Sequence, residues 1–177
     1  MKIHTKFFGE IDIEVDKIIE FHRSLSGFEG CTRFYLLPED AEVPVFYFMQ
    51  CVTNPEIAFT VGFAQQFGIN YDDTLLTPDD ARELGVQRVA QALVILHFSK
   101  NPKEPSPSSL APKFIPHITA PMVINPVTRR GIQKELKNIC WSATVTAVPD
   151  KLPQPEADAN CQRFLAMLAA GLKVDQA

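Results

Sequence analysis

Two pairs of adjacent carboxylates, Asp72-Asp73 and Asp79-Asp80, and four histidines, His4, His22, His97 and His117, are the side chains of this sequence best suited to moving protons or holding a metal. Both jobs need groups that converge on one point, whereas sequence neighbours point apart on a strand and diverge on a helix. The acid pairs therefore read first as a solvated face and a helix cap, and second as an acidic docking surface. No two histidines stand at the i, i+4 spacing that brings a pair onto one helix face. The cysteines, Cys31, Cys51, Cys140 and Cys161, form no CxxC zinc or redox pattern, so free buried thiols are expected and no metal is. A serine-histidine-aspartate signature, a phosphate-binding P-loop and a GxGxxG run are absent. Arg129, Arg130, Lys134 and Lys137 form a basic cluster without the interleaved aromatics of a single-stranded nucleic-acid site. A charged turn is its first reading and a rim contact to an acidic partner its second. No catalytic residue or cofactor site is singled out by these patterns.

Composition agrees. The chain has 177 residues, 46% of them hydrophobic, enough for one domain with its own core. A net charge of −4 suits a basic protein partner better than a phosphate backbone, whose affinity comes from neutralising cations. No apolar run approaches the ~20 residues needed to cross a bilayer. No secretory signal is visible after Lys2, so neither membrane nor direct nucleic-acid contact is expected and the cytoplasm is.

The elements that must position any site are mostly short strands. Residues 2–7 and 10–15 flank Gly9 as a hairpin, and the alternation Ile11, Ile13, Val15 puts those three toward a core. Residues 18–21 and 33–37 are further strands, and residues 24–30 are a loop in which Phe28 reads first as a hydrophobic plug and second as a binding residue. Residues 45–52 are almost wholly apolar, which predicts burial on both faces, and Asn54-Pro55 turns the chain into a returning strand at 57–63. Thr77-Pro78-Asp79-Asp80 starts a short helix that Gly85 ends. Residues 92–98 are a central strand, 100–112 a proline- and serine-rich loop, and 114–119 an edge strand interrupted by Pro116. Met122 to Ile124 is a buried strand entered through Ala120-Pro121; Asn125-Pro126 breaks it, and Gly131 is expected to supply a positive φ before the next strand. Residues 141–148 are one more strand and 149–155 a proline-rich linker. In 157–172, Cys161, Phe164, Leu165, Leu168 and Leu172 fall on one face of an amphipathic helix. The fold class is mostly β: an antiparallel, barrel-like domain (1–148) with one short helix, followed by a linker and an appended C-terminal helix (149–177).

An ordered series of short stretches carries a more specific message. Phe8-Gly9-Glu10-Ile11, Ile18-Ile19-Glu20-Phe21, Leu25-Ser26-Gly27-Phe28-Glu29, Leu36-Leu37-Pro38, Phe46-Tyr47-Phe48-Met49-Gln50, Pro55-Glu56-Ile57-Ala58-Phe59 and Ala120-Pro121-Met122-Val123-Ile124-Asn125 follow one another in that order. The series resembles the flagellar assembly factor FliW family from about residue 1 to about residue 136. Ser26 stands where the family usually has proline, and a second Ala-Pro, Ala111-Pro112, precedes the one aligned here.

The resemblance implies a cytoplasmic protein, not an enzyme, that acts in flagellar assembly as a chaperone-like binder and in translation regulation. It implies two partners, flagellin and the RNA-binding regulator CsrA. Occupying the regulator would release flagellin messenger RNA, and free flagellin would compete for the assembly factor. The expected contacts are Ile57, Ala58 and Phe59 on an edge strand, the acidic Asp72 and Asp73, and Asn125. Core packing is the competing role for Phe59. The helix bearing Phe164, Leu165, Leu168 and Leu172 is expected to dock on its own barrel, to complete the core or to mediate a dimer. The alternative from another class is a small-ligand or flavin-binding barrel, protein or enzyme, because a barrel mouth is a common ligand site.

Overall fold

The computed structural model describes residues 1–39, 44–100 and 114–137. The expected strand at 141–148, the linker, and the helix with Cys161, Phe164, Leu165, Leu168 and Leu172 lie outside these residues, as does nearly all of the 100–112 loop. The described strands are β1 (Lys2–Thr5), β2 (Gly9–Asp12), β3 (Ile19–Phe21), β4 (Arg33–Pro38), β5 (Tyr47–Cys51), β6 (Ala58–Phe63), β7 (Leu93–Lys100), β8 (Phe114–Pro116), β9 (Met122–Ile124) and β10 (Arg130–Gln133), with one α-helix, α1 (Pro78–Leu84).

The strand order β6-β5-β4-β3-β10-β9-β7 closes on itself because β6 also pairs with β7, and β8 adds to the far end of β7. This is the expected barrel with one short helix. All pairings are antiparallel except β3 with β10, which run parallel through Glu20 and Phe21. Alternation divides each strand between two cores. Phe34, Leu36, Met49, Val61, Leu93, Ile95, Met122 and Ile124 point into the barrel with Phe21, Tyr47 and Cys51. The intervening residues point outward and are covered in turn. The β1–β2 hairpin buries Ile3 and Ile13 against Tyr35 and Leu37. Leu84 of α1 packs with Val123 and Ile132. A 3-10 turn, Ala64–Phe67, and the ring of Phe46 cover Leu96 and Phe98. Burial on both faces is why these strands read as continuous apolar runs.

Helix α1 forms where the sequence signals it. Thr77 caps it in a reciprocal box with Asp80, Pro78 opens it, and Gly85 ends it at φ 72°.

Three local expectations are corrected. Val15 does not face a core: β2 ends at Asp12, the chain enters a 3-10 turn at Val15–Lys17, and Val15 is exposed. Lys17 is buried in its place, its ammonium 2.8 Å from Glu14. Gly131 does not supply the positive φ of the β9–β10 turn; Arg129 does, at φ 61°. Gly131 lies within β10, where a Cβ would stand 3.0 Å from the ring of Phe21, so the position needs a close approach and not a left-handed backbone. The basic cluster also dissolves. Arg129 is buried and feels Asp16, Lys134 pairs with Asp80, and Arg130 and Lys137 are exposed.

Gly131→Ala should therefore lower stability by about 1–3 kcal/mol, the usual cost of overpacking a filled site. A chemical-denaturation midpoint checks this, and an unchanged midpoint would contradict the assigned packing.

Candidate partner-binding surface

Each expected contact residue has a definite place, and they do not share one. Ile57 is half-buried at the entrance to β6, its carbonyl accepting from the Cys51 N–H at 2.9 Å. Along an antiparallel strand alternate residues bond to opposite sides, so Ala58 directs its N–H and C=O away from β5. Pairing with β7 begins only at Val61, opposite His97. The expectation of an edge strand at Ile57-Ala58-Phe59 is corrected, because β6 pairs with both β5 and β7 and closes the barrel; among the described residues, positions 58–60 have their register partners on β5. Phe59 is half-buried and bridges core and surface. Its ring meets Phe34 at 6.1 Å within the barrel, and it meets Phe28 of the exposed 24–30 loop edge-on at 4.8 Å.

The acidic residues lie elsewhere and have structural partners. Asp72 caps the 3-10 turn Asp73–Leu75, accepting from the Thr74 N–H at 2.9 Å and from its hydroxyl. Asp73 accepts from the Val89 N–H at 2.9 Å and from Arg88 Nε at 3.0 Å, tying that turn to the 3-10 turn Val89–Gln91. These bonds to the charged form hold both carboxyls below the usual aspartate range. Burial raises Asp80, but Lys134 and Thr77 outweigh it and bring its pKa down. The readings as helix cap and solvated turn describe these carboxylates well.

Asn125 is likewise corrected. It is buried, and its side chain is saturated: Nδ2 donates to the Leu84 carbonyl at 2.9 Å, and Oδ1 accepts from Val127 N–H at 2.9 Å and Thr128 N–H at 3.2 Å. It fastens the β9–β10 turn to the end of α1 and offers nothing to a partner.

Two residues that sequence reasoning left unassigned gather beside Phe59. His97 follows Ile95 on the inward face of β7, and its ring meets Phe59 at 5.4 Å. His117, just past β8, stacks on His97 at 4.7 Å. No short-range pattern announces this pair, because 20 residues separate them and only the β7–β8 register brings them together.

The remaining chemistry is quiet. Cys31 and Cys51 are buried free thiols, and burial, with the Cys51 thiol beside it, pushes Cys31 up to about 11, which disfavours a reactive thiolate. Among the described residues no group of three or more histidine, cysteine or acidic side chains could hold a metal ion, and no helix is long and apolar enough to cross a membrane. The barrel interior is filled by side chains, with Phe34, Tyr47, Met49, Ile95 and Ile124 almost wholly inaccessible. That is the condition of a small packed barrel and not of one hollowed for a ligand.

The described residues form a small, closed, solidly packed β-barrel. Comparison with known proteins makes this particular. The model of the FliW protein family matches residues 2–146. The flagellar assembly factor FliW of Azoarcus sp. (strain BH72) is 35% identical over 139 residues, covering 78% of this chain and 93% of that protein. The flagellar assembly factor FliW of Oceanobacillus iheyensis is 34% identical over 125 residues, covering 71% and 79%. A crystal structure of the flagellar assembly factor FliW superposes with a TM-score of 0.65 at 23% identity, over 79% of this chain and 92% of that one, a likeness of fold. The chain belongs to the FliW family.

Asn125→Ala should cost about 1–3 kcal/mol by leaving buried backbone groups unpaired, without weakening partner binding at temperatures where the variant is folded. Calorimetric melting and a binding titration of the same sample check both halves.

Proposed function

We propose that this protein is a flagellar assembly factor that binds flagellin and the translational regulator CsrA, relieving repression of flagellin translation. The observation that carries the reading is the family match across residues 2–146, the length of the whole barrel. Its physical features suit the task. A net charge of −4 disfavours capture of RNA and favours a basic protein partner. The contact surface proposed is segment 57–60 of β6 with Phe59 and the neighbouring Phe28. Segment 57–60, which precedes the β6–β7 ladder, is suited to an extended partner segment, and the two rings to an apolar side chain. Asp72 and Asp73 have their own hydrogen-bond partners and serve at most as rim charge. Competition between flagellin and regulator then needs only overlapping footprints or two states of one surface.

Size-exclusion chromatography with flagellin is the direct test. A stable complex is expected, and no co-elution at micromolar concentrations would contradict the reading. Phe28→Ala should weaken the complex about tenfold, on the order of 1.4 kcal/mol. In a gel-shift assay the protein should displace RNA from the regulator and shift no RNA itself; direct RNA binding at physiological salt would overturn that part.

The family match ends at residue 146 and the chain runs to 177. We propose that the segment bearing Phe164, Leu165, Leu168 and Leu172 docks on the barrel in cis and competes with the partner. An amphipathic helix of that length is marginal alone in water, and tethering raises its local concentration. Truncation after Val148 should then tighten flagellin binding. Unchanged affinity with a folded barrel would remove the idea, and an unfolded truncation would assign the segment to the core.

A further inference from the structure

His97 is half-buried on the inward face of β7, opposite Val61 at the end of the β6–β7 ladder and opposite His117 along the other edge of the strand, where β8 pairs. Its imidazole lies nearly parallel to that of His117, with centroids 4.7 Å apart and planes 19° apart. His117 is anchored twice. Its backbone N–H donates to the His97 carbonyl at 2.8 Å, and its Nε2 lies 3.0 Å from Ser99 Oγ. Phe59 meets His97 edge-on at 5.4 Å, and Phe28 meets Phe59 edge-on at 4.8 Å. A continuous run of rings therefore crosses from the 24–30 loop over β6 to β7 and β8, and its last two members are imidazoles.

The charges around this run are sparse. Strands β6, β8 and β9 carry no ionisable side chain, β7 carries only Lys100 at its end besides His97, and the 24–30 loop carries Glu29. What acts on His97 is its burial and then the charge of His117, and both hold its pKa below the ordinary imidazole value. Among the described residues no carboxylate bears on it to compensate a proton.

We propose that the His97–His117 stack is a proton-operated latch on the surface formed by Phe28, Phe59 and segment 57–60 of β6. With both rings neutral, the stack holds the β7–β8 end against β6 and seats Phe59. With both rings protonated, two like charges face each other without a counter-ion, the stack parts, and Phe59 and Phe28 lose their support. The regulatory part of this inference rests on the reading that this surface meets flagellin; the latch itself does not. The sign follows from linkage. The unfolded chain, with its ordinary histidine, takes the proton at higher pH than folded His97. The latch's contribution is therefore complete above the unfolded value of ~6.5 and is lost as pH falls through the folded value of His97.

The test is an NMR titration of the imidazole and phenylalanine ring signals in the full chain without partner. His97 is expected to titrate below ~6.5, the Phe59 and Phe28 signals to shift with its midpoint, and His117→Gln to move that midpoint upward. An ordinary midpoint for His97, or rings indifferent to it, would overturn the latch. His97→Phe keeps an aromatic ring in place and should leave Phe59 and Phe28 insensitive to pH. For regulation, flagellin affinity of the wild type should fall about tenfold on passing below the His97 midpoint and stay level in His97→Phe. An equal fall in both would overturn the regulatory role. Failure to bind flagellin at neutral pH would strike the contact reading instead, while the partner-free titration still decides the latch.

Discussion

Closure of the barrel by β6 and β7 is the constraint on which the rest depends. Val61, Gly62 and Phe63 pair with His97, Leu96 and Ile95, and this ladder joins the two ends of the seven-strand order. The closing strand also serves the other side, pairing with β9 through Leu93–Ile95 and with β8 through Phe98–Lys100. The seam is packed closely on its outward face: a Cβ at Gly62 of β6 would fall 2.6 Å from the Phe67 ring and 3.2 Å from Phe98 of β7, so only glycine lets those rings lie on it. The β6–β7 ladder ends at Val61, and β8 pairs with β7 along its other edge. The segment that precedes the ladder and the aromatic-histidine run beside it follow from how this barrel shuts.

A small barrel with short strands leaves many turns whose backbone groups need partners, and the polar side chains of this chain meet that need. Gln50 of β5 is buried between the β1–β2 turn and the β5–β6 turn; its Oε1 accepts from the Lys6 N–H at 2.9 Å, and its Nε2 donates to the carbonyls of Cys51 and Ile57 at 3.0 and 3.1 Å. Asp72, Asp73, Asp80 and Asn125 do comparable work around the second core cluster. Taking polar residues as a guide to the contact surface therefore leads away from it. The surface proposed for a partner is apolar in character: Phe28, Phe59 and segment 57–60 of β6.

Much of the fold was legible because its determinants are local. Thr77-Pro78 and Gly85 mark α1, and the doubly buried strands β5, β7 and β9 announce themselves as apolar runs. Misreadings arose where the determinant is another part of the chain. Gly131 looks like a turn glycine until Phe21 is placed over it by the parallel β3–β10 pairing, which no hairpin pattern predicts. Val15 continues an alternation that ends only because the chain turns at Val15–Lys17. Of the contact surface, the Pro55-Glu56-Ile57-Ala58-Phe59 stretch was visible through its family resemblance, whereas the stacking of His97 on His117 required the register of β7 with β8.

Hydrogen exchange of the protein with and without flagellin tests the central claim most directly, since it reads backbone amides along the whole chain at once. The account predicts that flagellin slows exchange at Ala58 and its neighbours in β6 and in the loop carrying Phe28, leaving α1 and the turns capped by Asp72 and Asp73 unchanged. Protection centred on α1 and those acidic turns, with segment 58–60 exchanging as in the free protein, would contradict it.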